Sequence, residues 1–375
     1  MQFVDEFRDP VLAKSLLNQI AQVAGQIVRP ENQPLQIMEV CGGHTHAIFR
    51  YGIEQLLPEN IELVHGPGCP VCVLPKGRVD DCIVIAEQPD VILATFGDAM
   101  RVLGSRQSLL QARAEGCDIR VVYSPLDALA LAQANPDKRV VFFGLGFETT
   151  MPSTALTLQQ AEREGVRNFF LFSNHITIIP TLRAMLEAPD MNVDAFLGPG
   201  HVSMIIGEAP YAFIARDFKR PLVISGFEPI DILYSLLMVL RQLEQGQARI
   251  ENQYTRVVNK AGNLAALTAL DAVFELREHF EWRGLGSIDQ SGVRITERYA
   301  RFDAEREFAL PNLSVVDPAE CQCGEVLQGR LKPRECRLFG QSCTPENPMG
   351  ALMVSSEGTC AAYYKYGGSE LIAVG

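Results

Sequence analysis

Basic side chains are scarce in this 375-residue chain: 33 Lys and Arg face 45 Asp and Glu, a formal net charge of −12. Phosphate backbones are bound by clustered Lys and Arg, so nucleic acid is not an expected partner. An anionic membrane surface is disfavoured for the same reason. Long apolar runs are missing too. The most apolar helical stretch, Ile230 to Leu240, contains Asp231 and is too short to span a bilayer. The opening MQFVDEFRDP carries acids where a secretion signal would carry bases before an apolar run. A soluble, cytoplasmic protein is therefore expected. Neither a GxGxxG fingerprint nor a Walker lysine is present. GLGFETT resembles a Gly-rich nucleotide loop only loosely, which lends nucleotide binding little support.

Cysteine is the residue in excess. The chain has 10, and in a reducing compartment such residues more often bind metal or do redox work than form structural bridges. Cys41, Cys69, Cys72, Cys82 and Cys117 lie in the first third, and Cys321, Cys323, Cys336, Cys343 and Cys360 near the end. None falls between residues 118 and 320, so two separate thiol sites are expected.

The remaining composition is that of a globular protein, 47% hydrophobic and 21% charged, long enough to bury large cores without staples. Asp9 and Pro10 suit the start of a helix, with Leu12, Leu16, Ile20, Val23 and Ile27 at helical spacing and Pro30 and Pro34 behind them. From there to about residue 228 one pattern repeats: a short apolar run ending in a polar, Gly-rich loop. LQIMEV, IELV, VILATF, RVVY, RVVFFGL, NFFLF, DAFL and PLVI are the runs, with helical segments between them. The alternation reads as α/β with mostly parallel sheets, and runs apolar throughout suit strands buried on both faces. Eight strands exceed one modest sheet. The expected organisation is a first α/β domain over 1–135 with the CGGHTH and CPVC motifs, a second over 136–280, and a small C-terminal module over 281–375. The break is placed near QANPDKR, and HGPGCPVC weakly echoes LGPGHVSM. From Pro318 onward apolar residues are too few for a separate core, so something else should hold that tail together.

Ligands of open α/β sheets bind outside the carboxyl ends of the strands. Cys41, His44, His46, Cys69, Cys72, Asp98, Glu148, His175, His201 and Glu228 all fall there. CGGHTH sets a soft thiolate and imidazoles beside two glycines that permit close backbone approach, a donor set suited to a transition metal such as iron; an inert strand-end thiol is the plainer alternative. CPVC, Cys69 to Cys72, is a redox-type CxxC, with half of a metal site as the alternative. Glu148 and His201 are candidates for moving a proton or orienting a ligand, and His46 and Glu228 for accessory roles; loop hydrogen bonding is the plain reading of each. In the tail, Cys323, Cys336, Cys343 and Cys360 supply the four thiolates an iron–sulfur cluster needs. Structural zinc is the competing reading, although its usual paired CxxC knuckles are absent, and scattered free thiols are the third. Cys321 is too close to Cys323 for both to bind easily and reads as unliganded. Cys82 and Cys117 read as packing thiols.

Taken together, CGGHTHAIF (41–49), HGPGCPVCVLP (65–75), FGDAMRV (96–102), FFGLGFETTMP (142–152), GPGHVSMIIG (198–207) and the tail from CGEVLQG to SSEGTCAAYY resemble the HypD family of nickel–iron hydrogenase maturation factors. The resemblance spans nearly the whole chain. It implies two α/β domains and a C-terminal module with a 4Fe–4S cluster on Cys323, Cys336, Cys343 and Cys360. It implies that Cys69 and Cys72 form a dithiol pair relaying electrons from that cluster. It implies that Cys41, with His44 close by, holds an iron while two cyanides and one carbon monoxide are attached. The partners it implies are a HypC-type chaperone that shares the iron, a HypE-type cyanide donor and, indirectly, the hydrogenase large subunit. Cys321 matches no family position. The role implied is a redox-active assembly factor rather than a classical turnover enzyme. A stand-alone disulfide reductase and a passive iron scaffold are the alternatives.

Overall fold

The structure, a computed structural model, describes residues 5–30, 33–189, 191–317 and 320–367. All eight apolar runs form strands, and a ninth joins them. They are β1 (Leu35–Glu39), β2 (Ile61–His65), β3 (Val91–Thr95), β4 (Ile119–Val121), β5 (Arg139–Gly146), β6 (Phe169–His175), β7 (Ala195–Pro199), β8 (Leu222–Ser225) and β9 (Ile250–Asn252). Two parallel sheets result, in the orders β2-β1-β7-β8-β9 and β4-β3-β5-β6. The α/β class with parallel sheets is thus the observed one.

The chain divides into two compact units, each assembled from separated segments. The first comprises 1–69, 182–263 and 320–375, the second 70–181 and 264–319. Cuts at 135 and 280 do not separate them: residue 135 lies inside the second unit, as does residue 280, and QANPDKR joins a helix to β5 within it. The discrepancy has a simple origin. An apolar run announces a strand but not its neighbour, and β7 returns to pair with β1 in the register Ile37↔Ala195. The two GPG segments that echo each other lie at the carboxyl ends of β2 and β7 in one sheet, the first just beyond β2 and the second spanning the end of β7. The described tail, 320–367, groups with the first unit.

In the first unit the helix Pro10–Ala24 begins where Asp9 Oδ1 accepts the N–H groups of Val11 (2.8 Å) and Leu12 (3.3 Å), a cap of about 1 kcal/mol. It ends at Gly25, ahead of the prolines. Leu16 and Ile20 from this helix and Ile232, Leu233 and Leu236 from the helix Pro229–Glu244 share one core with Ile37 of β1, Leu197 of β7 and Val223 of β8. In the second unit β5 is buried almost end to end, and Phe143 stacks on Phe172 of β6 at 5.8 Å. Two short antiparallel ribbons belong to this unit: Phe274–Leu276 with Val293–Ile295, and His279–Trp282 with Gly286–Asp289.

Each parallel sheet reverses its winding once. In the first, β2 lies on one side of β1 and β7 on the other; in the second, β4 and β5 flank β3. Such reversals leave a crevice at the strands' carboxyl ends, the usual ligand position of open α/β sheets. Cys41 follows β1 and His201 follows β7, so the first crevice carries the CGGHTH and GPGH motifs. In the second, Asp98 follows β3 and Glu148 follows β5.

Candidate thiol and metal site

Beyond β1 the backbone stays extended through Cys41 (φ −149°, ψ 119°), which caps the helix Gly42–Arg50. The Cys41 carbonyl accepts the N–H groups of His44 (2.8 Å) and Thr45 (3.2 Å). The loop after β2 nests against this turn: Gly66 N–H donates to Glu39 O (2.8 Å), and Gly42 N–H to Gly68 O (3.1 Å). Gly68 has to be glycine, because a Cβ there would fall on the backbone N and Cα of Cys41. At Gly42 a Cβ would lie 2.7 Å from Glu357 Cβ and Oε2 and 3.3 Å from Cys69 Cβ. The structure therefore brings Cys41, Cys69 and Glu357 together around one glycine.

Glu39, the last residue of β1, is wholly buried. Its Oε2 accepts Cys41 N–H (2.8 Å), and its Oε1 takes the Thr45 hydroxyl and lies 2.8 Å from His65 Nδ1. Burial pushes the Cys41 thiol well above the usual thiol range, and the charges of Glu39 and Glu357 push it further, against backbone hydrogen bonds from Gly43 and His44. The thiol is consequently protonated until a cation compensates, and metal ligation would expel its proton.

His44 is fully buried, and its Nε2 faces two carbonyls, Ser225 O (3.2 Å) and Gly226 O (3.0 Å). Carbonyls only accept, so Nε2 carries the proton and Nδ1 a lone pair. That Nδ1 is buried and has no hydrogen-bond partner among the described residues. Burial holds the imidazole below its usual pKa despite the opposing pull of Glu39, which keeps it in the neutral, ligating form. Phe227 fixes the ring from the side, stacked on His44 at 4.7 Å and on His201 at 3.9 Å. Gly43 admits this stack, since a Cβ there would sit 2.9 Å from the Phe227 ring. His201 is likewise held below its usual pKa by burial and by His44.

The other predicted residues are placed as follows. Half-buried His46 meets Tyr366 edge-on at 5.9 Å, its Nδ1 without a hydrogen-bond partner among the described residues. Glu228 is engaged by Arg8 through two hydrogen bonds, 2.5 and 2.8 Å, so an ion pair accounts for it. Cys72 is buried in the turn ahead of the helix Lys76–Ala86 and belongs to the second unit, whereas Cys69 closes a segment of the first. Glu148 also belongs to the second unit. Its Oε1 accepts Ile178 N–H (3.0 Å), its buried Oε2 has no partner among the described residues, and burial raises its pKa to about 7. His175 is buried between Ser173 and Thr154, and burial alone lowers its pKa to about 3, as for a neutral core histidine.

In the tail, Cys321 Sγ lies 3.3 Å from Cys323 Sγ, and the Cys323 thiol is also hydrogen-bonded with Cys360. Cys336 and Cys343 share one turn, in which Phe339 N–H donates to Cys336 O (3.0 Å) and Cys343 N–H to Leu338 O (2.9 Å). Among the described residues no three His, Cys, Asp or Glu side chains are gathered as a metal-holding group. The donor set nevertheless suits an iron–sulfur cluster: four thiols, three of them buried, and a glycine, Gly350, where a Cβ would strike Cys323 Sγ.

Sequence reasoning missed Glu39, Glu357 and Phe227. Glu39 had a signal, as the single acid in the apolar run LQIMEV directly before CGG. Glu357 lies within the tail string SSEGTCAAYY and Phe227 within none of the strings quoted above, and only the fold shows what the two meet.

No helix among the described residues is long and apolar enough to cross a membrane. A family model named HypD, described as the hydrogenase formation hypA family, matches residues 11–367. The chain is 60% identical over 374 residues to the hydrogenase maturation factor HypD of Rhodobacter capsulatus, covering 99% of both chains. It is 58% identical over 366 residues to that of Escherichia coli (strain K12), covering 98% of both. With that of Azotobacter vinelandii it shares 53% over 373 residues, 98% of this chain and 97% of the relative.

Proposed function

The chain belongs to the HypD family of hydrogenase maturation factors, and on that premise we propose that its first unit grips the iron destined for a nickel–iron hydrogenase while two cyanides and one carbon monoxide are attached. One observation carries this reading. A buried thiol, Cys41, and a buried imidazole nitrogen with a free lone pair, His44 Nδ1, sit in one helical turn, with Cys69 and Glu357 packed on the glycine between them. Thiolate and neutral imidazole are suitable donors for iron.

Within this reading each residue has a defined task. Cys41 gives up its proton and binds the iron. Ser225 O and Gly226 O hold His44 in the tautomer that presents Nδ1. Phe227 and His201 block rotation of that ring and keep water from its face. Glu39 anchors the Cys41 N–H and adds negative charge that favours a cation. Cys69 and Cys72 exchange two electrons and two protons as they pass between dithiol and disulfide. A 4Fe–4S cluster on Cys323, Cys336, Cys343 and Cys360 would supply one-electron transfer when bound. The iron is shared with a HypC-type chaperone, its cyanide comes from a HypE-type donor, and the hydrogenase large subunit is the final recipient. A protein with this many thiols suits a reducing, cytoplasmic compartment.

Anaerobic titration of the full chain with ferrous iron, wild type against Cys41→Ala and His44→Ala, tests the reading. Both variants should lose the iron that the wild type retains through gel filtration. Retention by Cys41→Ala would remove the iron role. Cys69→Ser should keep the iron and lose hydrogenase maturation in cells; full maturation by that variant would favour a passive scaffold.

A further inference from the structure

We propose that Cys321 and Cys323 form an internal disulfide in the metal-free protein, made by exchange with a low-molecular-weight disulfide such as glutathione disulfide. The function proposed above gives Cys321 no task, yet its Sγ lies 3.3 Å from Cys323 Sγ. A disulfide needs the sulfurs at about 2.05 Å and the Cα atoms roughly 4.4–6.8 Å apart. Residues two apart span at most about 7 Å when extended. The intervening Gln322 is bent (φ −96°, ψ 28°), which shortens the span into that range. Side-chain rotation then closes the remaining gap. Gly350 packs against this pair from one side: a Cβ there would strike Cys323 Sγ and lie 2.6 Å from Cys321 Sγ.

Exposure sets the order of events. Cys321 is half-buried, whereas Cys323 and Cys360 are buried, so an oxidant in solution meets Cys321 before either of them. The Cys321 thiolate attacks the small disulfide, a mixed disulfide forms on Cys321, and one reduced small thiol leaves. Cys323 then attacks the Cys321 sulfur, the intramolecular bond forms, and the second small thiol leaves. Two protein thiols are oxidised and one small disulfide is reduced to two thiols. The 3.3 Å separation puts the Cys323 sulfur within reach of Cys321 without rearrangement of the rest of the tail.

The consequence for metal loading rests on the cluster reading above. An oxidised Cys323 cannot serve as a ligand, so the pair makes assembly in the tail conditional on reduction. Cys321 is then a redox partner of a ligand rather than a competing ligand.

The experiment has two arms. In the first, metal-free full-length protein, wild type and Cys360→Ser, is incubated anaerobically with glutathione disulfide, alkylated, digested and analysed by mass spectrometry. The peptide carrying residues 321–323 should be unlabelled and lighter by two hydrogens in both proteins. Alkylation of both cysteines, persistent glutathione on Cys321, or a bond from Cys323 to Cys360 in the wild type would overturn the proposal. In the second arm the oxidised protein receives ferrous iron and sulfide, and visible absorbance is recorded. The wild type should gain cluster absorbance only after dithiothreitol, and Cys321→Ser without it. Equal loading of both without reductant would overturn the gating. If the first arm succeeds while no protein ever gains cluster absorbance, the disulfide stands and the cluster reading falls.

Discussion

Replacing Glu148 by Gln should flatten the pH dependence of the second unit's stability. The Glu148 carboxyl is buried, with Oε1 bonded to Ile178 N–H and Oε2 unpartnered among the described residues, and burial raises its pKa from 4.5 to about 7. The native state therefore holds this proton more tightly than the unfolded chain does. The resulting stability is fully present below about pH 4.5 and is lost as pH rises to about 7, where the charge must be buried. At about 1.4 kcal/mol per tenfold, this rise corresponds to roughly 3 kcal/mol. Gln keeps an acceptor for Ile178 N–H and adds the cost of a buried amide, but that cost is the same at every pH and cancels from the slope. The chain contains one tryptophan, Trp282, which is buried in the same unit with its ring 5.9 Å from that of Phe147. Its fluorescence during urea unfolding thus reports on this unit. Between about pH 5 and pH 8 the wild type should lose roughly 2–3 kcal/mol more than Glu148→Gln. Parallel profiles for the two proteins would refute the argument, because they would mean that Glu148 titrates alike in folded and unfolded chains.

Gly68→Ala should destabilise the first unit by about 3 kcal/mol, the upper end for overpacking, since its Cβ meets the Cys41 backbone rather than a movable side chain; urea unfolding followed by circular dichroism measures it. Ferrous iron should bind about tenfold more tightly per pH unit between about pH 6 and pH 8, because ligation expels the proton that burial and Glu39 keep on Cys41. Anaerobic equilibrium dialysis would show that slope in the wild type, and a flat profile would contradict it. His201→Ala should weaken iron retention less than His44→Ala, since His201 acts through Phe227 whereas His44 offers Nδ1 itself.

Local structure was legible wherever one residue's environment could be read from its own neighbours in sequence. RVVFFGL is apolar throughout because β5 is covered on both faces, and Asp9 caps a helix because its carboxylate reaches N–H groups two and three residues on. Assembly was less legible. Nothing in DAFL says that β7 pairs with β1 rather than with β6, so two interleaved units were read as successive domains. The same limit applied to chemistry. The glycines of CGGHTH were read as allowing close approach, and the structure supplies what approaches them: Glu357 and Cys69 at Gly42, Phe227 at Gly43. Glu228 stood at a strand end like the other candidates, but its partner Arg8 lies 220 residues away in sequence, beyond any motif. Spacing alone showed Cys321 crowding Cys323 and left its purpose open; the 3.3 Å sulfur contact and the glycine packed on it suggest one.

Infrared spectroscopy of this protein, isolated anaerobically with its HypC-type partner from cells that make hydrogenase, tests the central proposal most directly. Bands of iron-bound cyanide and carbon monoxide should be present for the wild type and absent for Cys41→Ala. Undiminished bands in the Cys41→Ala complex would contradict the assignment of the iron to the crevice beyond β1.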